Sequence, residues 1–313
     1  MSDSLSPYHQ FSKSEWAKLR ADEPMTLKEK DIERLRSIDD PISLIEAEEI
    51  YLPLTRLLSF YVEAVKEVHK ASTKFLGTNG EKVPFIFGVA GSVAAGKSTT
   101  ARIMHALLQR LPNSPKVELI TTDGFLYSNK ELEKRSLMEK KGFPESYDRA
   151  KFIRFLADLK SGKDNVSSPI YSHLIYDIVE GKQKIIEKAD IIIVEGLNIL
   201  QAGDLPKNGN PIIFASDFID FSIYIDANEN DLEKWFVERF HRLRKTAFKD
   251  PNSFFHQFSK LDEKAALKLA NHYWQTINLE NLRQNVLPTR GRADLILTKS
   301  SDHSVNHVAL RKR

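Results

Sequence analysis

A chain of 313 residues can hold one large domain or two small ones, and 41% apolar against 28% charged residues, with 13 each of Gly and Pro, excludes wholesale disorder and fibrous repeats. The 46 Lys and Arg against 43 Asp and Glu leave +3, too small an excess to argue for nucleic acid, and the absence of cysteine excludes disulfides, thiolate metal sites and a cysteine nucleophile. The opening residues MSDSLSPYHQFSKSEWAKLR lack a signal peptide's apolar core, and the longest uncharged stretch, Val83 to Gly96, is too short to span a bilayer, so a cytoplasmic protein without membrane contact is expected.

Residues 1–82 read as an N-terminal helical segment with S/T-x-x-E capping boxes at Thr26 to Glu29 and Ser43 to Glu46. Ile50, Leu54, Leu57, Leu58, Tyr61, Val65 and Val68 follow helical spacing, with Pro53 expected to break or kink the first turns. That face packs on its own domain or, placed at Leu57 and Tyr61, on a second copy across a dimer interface.

After the turn signal Gly77-Thr-Asn-Gly80, apolar runs alternate with helical segments. The runs Pro84 to Ala90, Val117 to Thr121, Asp190 to Val194, Phe221 to Ile225 and Asp294 to Leu297 are predicted strands. Runs this apolar suit strands buried on both faces, so the expected fold class is α/β, a mostly parallel sheet with helices on both faces. No linker separates two domains; residues 83–313 read as one core continuous with the N-terminal segment, carrying a helical lid around residues 228–262.

The most specific segment is Gly91, Ser92, Val93, Ala94, Ala95, Gly96, Lys97 and Ser98, a full match to the phosphate-loop pattern G-x-x-x-x-G-K-[ST], followed by Thr99. A chance match is on the order of one in a hundred at this composition. It follows an apolar run and opens a segment with Ala101, Met104, Leu107 and Leu108 on one helical face. Backbone N–H groups at such a turn wrap a phosphate, and the helix N-terminus adds favourable partial charge. Nucleotide binding is therefore expected, with Lys97 on the β/γ-phosphates and Ser98 as a Mg²⁺ ligand.

Phosphoryl transfer also needs a group that orients or deprotonates the acceptor, and acids at the carboxyl ends of strands are well placed for that. Asp123 follows VELITT and Glu195 follows DIIIV. Asp123 is the candidate base and Glu195 the metal or water ligand, although from spacing alone the two roles can be exchanged. In DLEKWFVERFHRLRK, Arg239 and Arg242 share a helical face, and their forked guanidinium groups suit a closing lid. Trp235, Phe236, Phe240, Phe248, Phe254, Phe255 and Phe258 put seven aromatics into 24 residues, either as core or as an apolar wall for an elongated substrate. A GTP-dependent switch is not supported, because Thr298-Lys-Ser-Ser-Asp302 places its aspartate one position too late for guanine reading.

The segments GVAGSVAAGKSTTAR, ELITTDGFLY, KKGFPESYD, YSHLIYD, IIIVEGLNILQ, SDFIDFSIYIDA and NVLPTR together resemble the bacterial type I pantothenate kinase family over nearly the whole chain. The resemblance implies ATP- and Mg²⁺-dependent phosphorylation of pantothenate by a cytoplasmic homodimer inhibited by coenzyme A. It makes Lys97, Asp123 and Arg239 the catalytic set. It also has Tyr171, His173 and Asn278 contact pantothenate or the inhibitor's pantetheine arm, and puts Arg102 and His173 where coenzyme A competes with ATP. His303 and a residue near Asp39 would flank the adenine. Two positions depart from the family: Phe236 stands where a tyrosine is usual, and Asp39 where an asparagine is usual. A related uridine kinase or phosphoribulokinase type of enzyme is the alternative reading.

Overall fold

The five apolar runs all become strands of one sheet, two further strands join them, and two more pair separately. The computed structural model describes residues 5–37, 40–78, 80–202 and 213–313, so Asp39 lies outside the described residues. Its strands are β1 Tyr8–Ser12, β2 Phe85–Gly91, β3 Val117–Thr121, β4 Val166–Ser172, β5 Asp177–Ile186, β6 Ile191–Glu195, β7 Phe221–Asp226, β8 Leu295–Lys299 and β9 Val305–Arg311. Seven form a sheet in the order β1-β9-β8-β7-β2-β6-β3, and β4 and β5 form a separate antiparallel pair. The run from β8 through β7, β2 and β6 to β3 is parallel; β9 and β1 add an antiparallel edge. Every residue of β2 is buried, as a central strand covered on both faces must be.

The strand order places the chemistry. From β2 the chain crosses over β6 to reach β3, and later returns to the other side of β2 as β7. Ligand crevices form at such reversals, outside the carboxyl ends of the strands. In register, Glu195 at the end of β6 lies opposite Val89 of β2 and Thr121 of β3, so the phosphate loop, Glu195 and Asp123 leave three adjacent strands at one end.

The N-terminal segment departs from an all-helical reading. β1 pairs with β9 at the sheet edge, and the Tyr8 hydroxyl donates to Ala293 O at 2.7 Å. Alternation of large and polar residues in YHQFS was the only strand signal available there. Helix Glu29–Leu35 starts later than the Thr26 box, capped by Asp31 accepting from Lys28 N. Ser43 does cap the next helix, but Glu46 turns away to accept from Val305 N at 2.9 Å, pinning β9. Pro53 does not break the long helix Leu52–Leu76; it sits in its first turn, where its missing N–H costs nothing. A π-helical turn, Ala47–Tyr51, precedes it, and Trp16 Nε1 donates to the Ile50 carbonyl there.

On that long helix Leu54, Leu58 and Val62 are buried, and Leu57, Tyr61 and Val65 pack beside them, with the Tyr61 ring 4.8 Å from Phe221. Leu57 and Tyr61 thus serve the chain's own core, which corrects their placement on a dimer face. The apolar side chains left in solvent are Phe60, Val68, Phe75 and Leu76. Among the described residues no helix is long and apolar enough to cross a membrane.

Candidate active site

The phosphate loop leaves β2 at Gly91 and enters helix Lys97–Gln109 at Gly96. Gly96 has φ +94°, and a Cβ there would lie 2.4 Å from Asp40 Oδ2, so both the backbone and its neighbour demand glycine. Ala94 also adopts a positive φ of 64°, a non-glycine conformation that concentrates at ligand sites. Lys97 Nζ donates to Ser92 O at 2.8 Å and is buried. Burial pushes its ammonium below the ordinary lysine value, opposed by Glu195 and then Asp123. Burial likewise raises Glu195, against the pull of Lys97, while the Ser98 hydroxyl donates to its carboxylate. In both groups desolvation outweighs mutual attraction, as expected of charges close-packed away from water. Ser98 and Glu195 therefore present oxygen donors side by side at a helix N-terminus, a set that suits Mg²⁺.

Beneath the loop lies a polar cluster that crosses the whole chain. Lys299 Nζ and Asp40 Oδ1 are 2.8 Å apart and both side chains are buried; His303 Nδ1 is 4.0 Å from the same oxygen. The His303 ring stacks on Trp235 at 4.0 Å. His303 thus joins the cluster through Asp40 on one side and Trp235 on the other. Arg102 is half-buried and turned toward the N-terminal segment: its Nε donates to Leu35 O at 2.6 Å and its Nη2 to Ser37 Oγ at 2.8 Å.

Asp123 lies in the 3₁₀ turn Thr122–Phe125 that follows β3. Around it the fold gathers groups from distant segments. Tyr171 comes from β4, and His173 and Tyr176 from the turn between β4 and β5. Their rings meet edge to face, Tyr171 with His173 at 5.2 Å and with Tyr176 at 6.3 Å. Burial lowers the His173 imidazole below its ordinary value, against the attraction of Asp123, which favours a neutral ring. Arg239, exposed on helix Glu229–Lys245, is near enough to disfavour charge on both Lys97 and His173, so it faces the crevice.

Sequence reasoning missed Lys141. This lysine is only 8% exposed, donates to Asn129 Oδ1 at 2.6 Å and to the Tyr176 carbonyl, and lies 3.9 Å over the Tyr176 ring and 5.2 Å over that of Tyr171. Burial pulls its ammonium down to about 8, with Asp177 and then Asp123 opposing. The next residue's carbonyl, Gly142 O, accepts from Asn198 Nδ2 at 3.1 Å and Asn281 Nδ2 at 3.0 Å, so two distant amides fix the lysine's backbone. Its only sequence signal was its place in KKGFPESYD.

The aromatic-rich segment around helix Glu229–Lys245 divides between a small core and the neighbourhood of Tyr176. Phe240, Phe248, Ala266 and Ala270 form a small separate core, packed by Phe255 and Phe258. Phe254 and Phe255 also turn toward the site, 5.3 and 4.7 Å from Tyr176. Phe236 is half-buried with its ring 5.7 Å from Trp274. Asn278 lies in the π-helical turn Trp274–Asn278, its amide donating to Tyr273 O at 3.2 Å. Arg244 donates to the Leu261 carbonyl and so ties this helix to the segment that follows it.

Comparison with known proteins agrees with this geometry. The model of the family described as Phosphoribulokinase / Uridine kinase family matches residues 86–257. A protein of Agrobacterium fabrum named Pantothenate kinase is 55% identical, covering 99% of this chain and 97% of the relative. One of Brucella ovis with the same name is 55% identical, covering 98% and 96%. Among solved structures, the D-glycerate 3-kinase of Cryptococcus neoformans covers 80% of this chain and 97% of its own, with 15% identity and a TM-score of 0.50; that likeness concerns the fold alone.

Proposed function

This chain belongs to the pantothenate kinases of the Phosphoribulokinase / Uridine kinase family, and on that premise we propose that it transfers the γ-phosphoryl group of ATP to the primary hydroxyl of pantothenate, giving 4′-phosphopantothenate and ADP. The observation that carries the reading is the convergence at one sheet end of a phosphate loop, a strand-end carboxylate and a cluster in which buried Lys141 lies against Tyr171, whose ring meets His173.

In this mechanism Asp123 accepts the hydroxyl proton as the oxygen bonds to the γ-phosphorus and the bond to the ADP oxygen breaks. Lys97 and Arg239 balance charge on the transferring group. Ser98 and Glu195 would hold Mg²⁺, which supplies charge neutralisation on the phosphate oxygens when bound. Among the described residues no group of three or more His, Asp or Glu could hold a metal by itself, which fits an ion shared with the nucleotide's phosphates. Lys141 donates to the acceptor's hydroxyl end, while Tyr171, His173, Asn278 and the lid aromatics enclose the rest. His303, stacked on Trp235, borders the adenine.

Inhibition by coenzyme A in competition with ATP belongs to the same proposal, with Arg102 and His173 as its contacts. So does a homodimer, now assigned to the solvent side of helix Leu52–Leu76; Phe60→Asp with Val68→Asp is expected to sediment as a monomer, and an unaffected dimer would refute the placement.

The testing experiment is ADP release with Mg-ATP and pantothenate, uridine or no acceptor. Release is expected with pantothenate alone, lowered about 10³-fold in Lys97→Met and in Asp123→Asn. Release with uridine, or release indifferent to acceptor, overturns the substrate assignment and leaves only nucleotide binding.

A further inference from the structure

The segment KKGFPESYD supplies a second group besides Lys141, and the reaction as written has no use for it. Tyr147 is buried, with 8% of its surface exposed, and its hydroxyl donates to Asp123 Oδ1 at 3.4 Å. This contact is held by backbone pairing. Leu126 and Tyr147 form an antiparallel bridge, Tyr127 N donates to Ser146 O at 2.9 Å, and Asp148 N donates to Phe125 O at 2.8 Å. The turn that carries Asp123 and the loop that carries Tyr147 are therefore in fixed register. Ser146 is tied at its other end, accepting from Gly142 N at 3.0 Å and donating to Phe143 O at 2.7 Å. One loop thus carries the Lys141 ammonium at its start and, at its end, the phenol that meets the Asp123 carboxylate.

We propose that Tyr147 is a positioning residue for the base: its phenol holds one oxygen of Asp123, so that the other oxygen points at the acceptor hydroxyl. This rests on the reading of Asp123 as the base. Two features support it. A free carboxylate on a turn can rotate about its side-chain bond and solvate either oxygen, whereas a donor fixed by backbone pairing selects one orientation before substrate arrives. Burial, reinforced by the neighbouring Asp123 charge, raises the phenol well above its ordinary value, so at working pH it stays protonated and can only donate to the carboxylate. The Thr122 hydroxyl lies beside the phenol as well, and Thr122 and Tyr147 both line a cavity of about 40 Å³ with Phe152, Ile153 and Asn198.

The test is Tyr147→Phe, which keeps the ring and removes the donor. With pantothenate and Mg-ATP, kcat is expected to fall about tenfold while KM for pantothenate changes less than twofold, because the hydroxyl touches the base and not the substrate. The same substitution in an Asp123→Asn background is expected to change the residual rate less than twofold, since there is then no base to orient. Incorporation of 3-fluorotyrosine at 147, nearly isosteric and a stronger donor, is expected to change kcat with KM and melting temperature unaltered; this arm remains decisive where the phenylalanine variant folds poorly. An unchanged kcat in Tyr147→Phe, or an equal loss in the Asp123→Asn background, overturns the positioning role. Loss of pantothenate-dependent turnover dependence on Asp123 itself, with Asp123→Asn as active as the parent, would instead overturn the reading of the base.

Discussion

The nucleotide side and the acceptor side of this crevice are built by opposite means. The phosphate loop is one continuous strand, turn and helix over residues 85–109, in which backbone N–H groups and the helix N-terminus are the expected binding groups. The proposed acceptor side has no continuous element: Asp123, the Lys141–Tyr147 loop, the Tyr171–His173 turn, Phe236 and Asn278 are far apart in the chain, and their side chains would carry the specificity. A backbone-built site depends on local conformation, so its sequence rule is short and general. A side-chain-built site depends on how segments are registered against one another.

Three substitutions sharpen that contrast, beginning with the largest effect. Gly96→Ala places a Cβ 2.4 Å from Asp40 Oδ2 at φ +94°; strain of roughly 1–3 kcal/mol is expected, with ATP affinity lowered about tenfold to a hundredfold and KM for pantothenate little changed, as read by ATP titration and steady-state kinetics. A loss falling equally on both substrates would break the separation of the two sides.

Lys141→Met is expected to raise KM for pantothenate about tenfold and leave ATP affinity intact. The pH dependence has a definite sign. With its ammonium pulled down to about 8, Lys141 is charged at neutral pH and loses its proton as pH rises through that value, so KM for pantothenate should climb above about pH 8 in the parent and stay flat in the variant. A climb that persists in Lys141→Met would assign it to another group.

The smallest effect expected is that of Phe236→Tyr. A single neutral hydrogen bond is worth about 0.5–1.5 kcal/mol, so a phenol on this half-buried ring should lower KM for pantothenate by about twofold to tenfold. An unchanged or raised KM would mean that the ring, packed 5.7 Å from Trp274, does not face the substrate.

The parallel sheet was legible because its strands are nearly all apolar, which only burial on both faces explains. The antiparallel edge was not: β1 is exposed at most positions, and its partner β9 lies almost the whole chain away. The β4–β5 pair was hidden for a similar reason, since half of β5 is exposed and only one of its residues is buried. On helix Leu52–Leu76 the periodicity correctly announced an apolar face, but two such faces exist, and Tyr61 chose the core because Phe221 lies against it.

The sequence alone therefore determined the parallel core, the phosphate loop and the two strand-end acids, because each follows from residues adjacent in the chain or from a pattern repeated along it. Only the tertiary structure decided that Lys141 is buried beneath two tyrosines, that the Gly142 carbonyl is held by Asn198 and Asn281, and that Asp40 meets Lys299 under the loop. Those contacts join residues up to 259 positions apart, and what a buried charge does depends on which neighbours replace its water. No local pattern records that choice.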